Sequence, residues 1–264
     1  MTAPGAVGLN FSPRGQGSPW PQMVRAHASL ELRMMLRNGE QLLLTAVIPL
    51  GLLLGLSLTT FVRLGVPNTT AARVTEVIPG VLTLAVLSTA FTGLAIQTGF
   101  ERRYGVLKRL RATPLTRTTL LLGKALAVAV VETVQFVVLG GVAVALGWRP
   151  TAAAWWAVAV LMVLGTLAFA ALGLLMAGLL RAEATLAAAN LVYLVLLIGG
   201  GIVVPLDRMG AAAAQWLEVL PSAALSSGLG VAFTDGTLSV RAAVTLLLWA
   251  ALAGALTART FRWE

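Results

Sequence analysis

The chain has 264 residues, of which 58% are hydrophobic and only 11% are charged, against about 25% charged in a typical soluble domain. Its mean hydropathy of +0.89 excludes an ordinary water-soluble globule. With no cysteine, one histidine and no phosphate-binding G-x-x-x-x-G-K-[ST] loop, the sequence predicts no catalytic residue, no metal site and no cofactor bound by this chain.

The first 40 residues divide into two segments. Residues 1–22 are rich in Pro, Gly and Ser and lack periodicity, which predicts a disordered tail. Residues 23–40 predict an amphipathic helix with His27 and Glu31 on its apolar side, four residues apart, as a local pair. A basic amphipathic helix before a membrane span is typical of the membrane interface, and a solvated helix is the alternative. Its polar stripe is Arg25, Ser29, Arg33 and Arg37, opposite Met23, Leu30 and Met34.

Six runs almost without charge follow, and each is close to the roughly 20 apolar residues that a helix needs to cross a membrane. The fourth run begins at residue 150, and Trp155 and Trp156 mark an interfacial belt that trims it. We therefore predict an all-α, six-span membrane domain over residues 41–264. The predicted spans are 41–62, 77–100, 125–148, 155–180, 184–206 and 242–258.

The positive charges predict the orientation. With six spans, fourteen of the nineteen Lys and Arg residues fall on the side that holds both termini, and five fall on the other side. The positive-inside rule places the richer side in the cytoplasm of a multi-pass plasma membrane protein. The net charge of +9 then indicates topology and attraction to anionic lipid, rather than nucleic-acid binding, because no polar domain carries a basic patch.

The loop between the second and third spans concentrates seven Lys and Arg in residues 100–124. Val106, Leu107 and Leu110 share one face of a short helix with a basic rim. Gly105 permits a bend before this helix, and Pro114 disfavours helical geometry at the preceding residue and ends it. An apolar face of this kind predicts a knob that fits the groove of a partner protein.

The same stretch, ERRYGVLKRLRATPLTRTTLLLGK, resembles the cytoplasmic loop of type-2 ABC-exporter permeases. The resemblance implies that residues 101–115 form a coupling helix that docks on a separate ATPase subunit, which binds ATP and magnesium. It also implies a homodimer or a pair with a sister permease. The matching residues are Glu101, Arg102, Gly105, Leu107, Leu110, Ala112, Thr113, Pro114 and Leu115. The expected ATPase contacts are Glu101, Arg102, Gly105, Val106, Leu107, Arg109, Leu110, Arg111, Thr113 and Pro114.

The segment GAAAAQWLEVLPSAALSSGLGVAF after the fifth span is too apolar for an exterior loop and too broken for a span. The family has a re-entrant helical hairpin at this place, and Pro221 is then expected at its hinge. An interfacial loop is the alternative.

Glu132 lies inside the third span, with Gln135 almost one turn further on. An ionisable group at that depth is costly unless it is paired or wetted, so both side chains are expected in the substrate path or the bundle interior. Glu132 either contacts a cationic or polar substrate or makes a packing hydrogen bond, the latter favoured, with Gln97, Thr92 or Asn190 as candidate partners.

The resemblance implies a permease subunit that exports a hydrophobic drug, antibiotic or lipid-like molecule, and it implies no enzyme activity in this chain. Export of a polysaccharide or glycolipid by the same machinery is the alternative. An ATP-independent secondary transporter is a further one, although only one broken region occurs where such transporters often have two. A membrane-embedded enzyme is another alternative, but it would need several convergent polar side chains among the spans, and Glu132 alone is not such a set.

Overall fold

A computed structural model describes residues 18–60, 64–113, 115–202 and 217–260, and every regular element in these ranges is helical. The predicted disordered tail lies mostly outside them, and the first helix begins at Trp20. The helices are α1 Trp20–Arg37, α2 Gly39–Leu58, α3 Thr70–Arg103, α4 Val106–Arg111, α5 Arg117–Ala145, α6 Ala154–Leu179, α7 Ala182–Gly199, α8 Pro221–Asp235 and α9 Val240–Thr260.

Five of the described helices, α3, α5, α6, α7 and α9, are long and apolar enough to cross a membrane. Helix α2 has 20 residues, and the apolar stretch described along it is Thr45–Leu58; residues 61–63, at the end of the predicted run, lie outside the described residues. The all-helical membrane architecture is therefore confirmed. The first predicted span, residues 41–62, and with it the total of six spans, stays a prediction.

Helix α3 is the central helix of the bundle. Nearly all side chains of its apolar stretch are buried, whereas most of those in α7 and α9 are not. Within α3, Leu87–Gly93 is π-helical, a rare geometry that is frequent at functional sites. Helix α6 crosses this segment at Gly173, where a Cβ atom would lie 2.7 Å from the backbone oxygen of Phe91. Glycine is required here because α6 lies directly on the π-helical backbone.

The two ends of the bundle differ in chemistry. We call the end with α4, the start of α5 and the start of α7 the loop end, and the opposite end the far end. At the far end Trp148 is buried and packs edge-to-face on Phe233, with ring centroids 4.8 Å apart, and on Trp155 at 6.4 Å. This aromatic cluster joins the α5–α6 connection to α8.

Helix α8 packs deep against α6 at the far end. A Cβ at Gly165 of α6 would lie 2.8 Å from Leu225, and Gly165 is about 16 Å along the axis from the start of α6. Pro221 occupies the first turn of α8, where its missing N–H costs no hydrogen bond, and its side chain is buried. Residues 203–216, which would supply the other arm of the predicted hairpin, lie outside the described residues.

Candidate functional site

The loop end contains a buried ion cluster, formed by Glu31 of α1, Gln97 and Glu101 of α3, and Lys124 of α5. The Lys124 ammonium is buried and lies 2.7 Å from Glu31 Oε1 and 2.6 Å from Glu101 Oε2. The Gln97 amide donates to Glu31 at 3.1 Å and to Glu101 at 2.8 Å. One cation and one amide therefore join three helices that are distant in sequence.

His27 closes this cluster from the side of α1. Its Nε2 is 3.4 Å from Glu31 Oε1, which fits the predicted local pair, and its ring lies against Gly123 of α5. Burial, reinforced by the Lys124 charge, lowers the pKa of His27 to about 4, so the ring is neutral near pH 7. Burial also raises the pKa of Glu31, against the opposing pull of Lys124.

Two arginines at the end of α3 tie the loop to the other side of the bundle. Arg102 donates from Nη1 to the Gly178 backbone oxygen at 2.9 Å and from Nη2 to the Leu180 oxygen, at the end of α6. Arg103 forms an exposed ion pair with Glu183 in the first turn of α7. Predicted ATPase contacts Glu101 and Arg102 are thus engaged within this chain.

Helix α4 faces inward with its leucines. Gly105 has φ +72°, a left-handed conformation that glycine adopts at no steric cost, and it turns the chain between α3 and α4. Leu107 is fully buried against Leu120 of α5, and Leu110 packs beside them half-buried. The predicted leucine knob stays a prediction; in this structure Leu107 is covered by this chain's own α5.

The outward face of α4 is basic. Lys108 and Arg109 are exposed, as is Thr113, whose hydroxyl donates to the last turn of the helix. Half-buried Val106 lies at the start of this helix. Pro114 and the side chain of Arg111 lie outside the described residues.

A polar groove runs between α2, α3 and α7. It encloses about 520 Å³ and reaches the π-helical segment of α3. A groove of this size, open along three helices, can hold a small amphiphilic molecule. Its polar lining residues are Asn38, Thr45, Ser88, Thr92, Asn190 and Tyr193.

Gln135 belongs to the bundle interior beside this groove. Its side-chain oxygen accepts a hydrogen bond from Thr89 at 3.1 Å, and its amide donates to the Thr45 backbone oxygen at 3.4 Å. Gln135 therefore holds α5 against the π-helical segment of α3 and against α2.

Glu132 lines an apolar groove of about 550 Å³ between α5 and α6. It is buried, and its carboxylate accepts a hydrogen bond from the Thr166 hydroxyl of α6. The three partners proposed from the sequence are wrong, because Gln97 binds the buried ion cluster and both Thr92 and Asn190 line the polar groove.

Lys124 is the residue that sequence reasoning missed, since it was assigned to the loop. One signal was present: Gln97 and Glu101 stand four residues apart near the end of an apolar span, so they share a helix face that needs a buried partner. No group of three or more His, Asp or Glu side chains in the described ranges is placed to hold a metal ion.

Comparison with protein families gives one match. The family model for the ABC-2 type transporter matches residues 24–233, which include most of α1, both grooves and most of α8. A comparison with curated proteins finds no match.

Proposed function

The chain belongs to the ABC-2 type transporter family and is a permease subunit of an ABC transporter, and on this premise we propose that it exports a hydrophobic, lipid-like or drug-like molecule. A separate ATPase subunit would bind ATP and magnesium and hydrolyse the nucleotide. The observation that carries the proposed coupling to an ATPase is the attachment of α4 to the bundle, through Glu101 and Arg102 before the helix and through Leu107 on α5.

The proposed orientation places the loop end and both termini in the cytoplasm of a six-span protein. Its support is the charge distribution of the sequence, together with the basic exposed face of α4. Helix α1 fits the membrane interface, because Arg25 and Arg33 are exposed beside Leu30 and Leu36, which are 45% and 57% exposed. A face with both cations and large apolar side chains matches the boundary between lipid heads and chains.

Helix α4 is the proposed coupling helix. Its neighbour Tyr104 is 68% exposed, and with Lys108 and Arg109 it gives an aromatic and basic docking surface. Before α4, Glu101 and Arg102 attach the chain to α1, α5 and the end of α6. A push of the ATPase on α4 would therefore move several helices together, because the buried ion pairs resist separation.

The polar groove is the proposed half of the export path. It lies among α2, α3 and α7, and α7 has much of its surface exposed, so a second permease copy or a sister permease could complete the path. Asn190 and Tyr193 of α7 face polar groups of α3 across it. Mixed polar and apolar walls suit an amphiphilic substrate better than a long, fully hydrated polysaccharide.

The docking surface can be tested with charge reversal on α4. Lys108→Glu together with Arg109→Glu should weaken co-purification with a co-expressed P-loop ATPase partner by at least about tenfold, because the basic surface becomes acidic. The matched control, Arg149→Glu, reverses one exposed charge at the far end and should retain the ATPase. Wild-type recovery of the ATPase with the α4 double variant would contradict the proposed docking surface.

A further inference from the structure

The apolar groove between α5 and α6 contains a carboxyl group of which only one oxygen has a hydrogen-bond partner among the described residues. Oε2 of Glu132 accepts the hydrogen bond from Thr166, whereas Oε1 is buried with no hydrogen-bond partner among the described residues. Apart from Glu132, Thr133 and Thr166, the lining side chains are aliphatic, aromatic or methionine. A volume of about 550 Å³ lies within the usual range for small-molecule sites.

This carboxyl group lies inside a candidate membrane span, near the middle of helix α5. Glu132 is about 22 Å along the axis from Arg117 and about 20 Å from Ala145, the two ends of α5. A carboxylate at this depth is unfavourable unless a partner compensates it, and such residues mark binding or transport sites in membrane proteins.

The groove opens on the outer surface of the bundle. Its rim residues Leu126, Val163 and Leu167 are substantially exposed, as side chains in contact with lipid are. Toward the far end, Phe136 and Trp155 form an edge-to-face pair with ring centroids 6.1 Å apart. Aromatic faces attract organic cations, and this attraction is stronger where water is excluded.

We propose that this groove is a binding site for a lipophilic cation that enters from the lipid. The cationic centre lies against Oε1 of Glu132, and the hydrophobic part of the molecule contacts the walls of α5 and α6. Charge complementarity favours this occupant, because the groove offers one acid and no basic side chain in its lining. The site is separate from the polar groove, which lies among other helices, and its occupation requires neither the ATPase nor transport.

Equilibrium binding to the purified full chain in lipid nanodiscs tests the proposal, with radiolabelled tetraphenylphosphonium as the cation and triphenylphosphine oxide as a neutral aryl probe. Wild type should bind the cation saturably. Glu132→Gln should weaken cation binding by at least about tenfold and leave the neutral probe unchanged, because only the charge is lost. Glu76→Gln removes an exposed acid of α3 and should bind both probes as wild type does.

A second variant keeps the test decisive if Glu132→Gln does not purify as a single species. Ala129→Trp fills the groove and leaves the carboxyl group in place, so it should abolish binding of both probes. Unsaturable binding in wild type, full cation binding by either groove variant, or an equal loss in Glu76→Gln would overturn the proposal. A failure of the ATPase to co-purify would bear on the proposed exporter and not on this site.

Discussion

Replacing Lys124 by Gln should destabilise the protein far more than replacing Arg117 by Gln, although both changes remove one positive charge from the first turns of α5. Arg117 is exposed, whereas the Lys124 ammonium is buried between Glu31 and Glu101 at 2.7 and 2.6 Å. Both residues look alike in the sequence, as cations of one basic loop. Their difference comes entirely from the packing of α1 and α3 on α5.

The magnitude follows from the burial of the cluster. Removal of one partner from a buried ion pair costs about 3–5 kcal/mol, because the remaining charge stays buried without compensation. At about 2–4 °C per kcal/mol for chains of roughly this size, the apparent melting temperature should fall by about 6–20 °C. The exposed Arg117→Gln variant should change it by no more than about 2 °C.

The apparent melting temperature is measured by heating each variant in a mild detergent, at one heating rate for all variants. The remaining monodisperse protein is then quantified by size-exclusion chromatography. A triple variant, Lys124→Met with Glu31→Gln and Glu101→Gln, removes all three charges and should recover most of the stability, because no uncompensated charge is left. A Lys124→Gln protein that melts within about 2 °C of wild type would refute the reasoning, and so would a triple variant less stable than the single one.

Three further outcomes are expected. Gly173→Ala should lower the apparent melting temperature, because the new Cβ would lie 2.7 Å from a backbone oxygen of α3, whereas Gly140→Ala has open space and should be neutral or stabilising; equal effects would contradict the close packing. The folded-state pKa of His27 lies below its ordinary value of 6.5, so its contribution to stability is complete above about pH 6.5 and is lost as the pH falls toward 4, and melting curves of His27→Gln should show a flatter acid limb than wild type. In intact cells, Cys at Thr118 should resist an impermeant thiol reagent and Cys at Thr151 should react; the reverse pattern would contradict the proposed orientation.

The sequence was sufficient for the architecture. Long uncharged runs without alternation of polar and apolar residues favour helices in lipid, because a helix pairs every backbone group within the segment. This reasoning predicted helices where α3, α5, α6, α7 and α9 occur, because hydrophobicity and helix length are local properties. Helix α2 lies in the predicted run 41–62, and the membrane span there stays a prediction.

The loop motif shows where local reasoning ended. The sequence indicated a short helix after Gly105 with leucines on one face, and the structure contains that helix. Periodicity shows which side chains share a face, but not whether that face meets a partner or the same chain. Only the packing of α4 on α5 decided that Leu107 is covered and that Lys108 and Arg109 remain exposed.

The polar groups inside the bundle depended most on tertiary structure. The sequence indicated that Glu132 needs a hydrogen-bond partner. The separation of Glu132 and Thr166 along the chain does not predict that these two residues meet, and several other polar residues were equally plausible. Lys124 belonged to the basic loop by its sequence alone, and only the fold buries it between two carboxylates from α1 and α3. The sequence indicated that a charge at Glu132 is costly, because that cost depends on its place within an apolar span. The partners of Glu132 and Lys124 depend on the rotation and crossing of helices, which only the packing of the whole bundle determines.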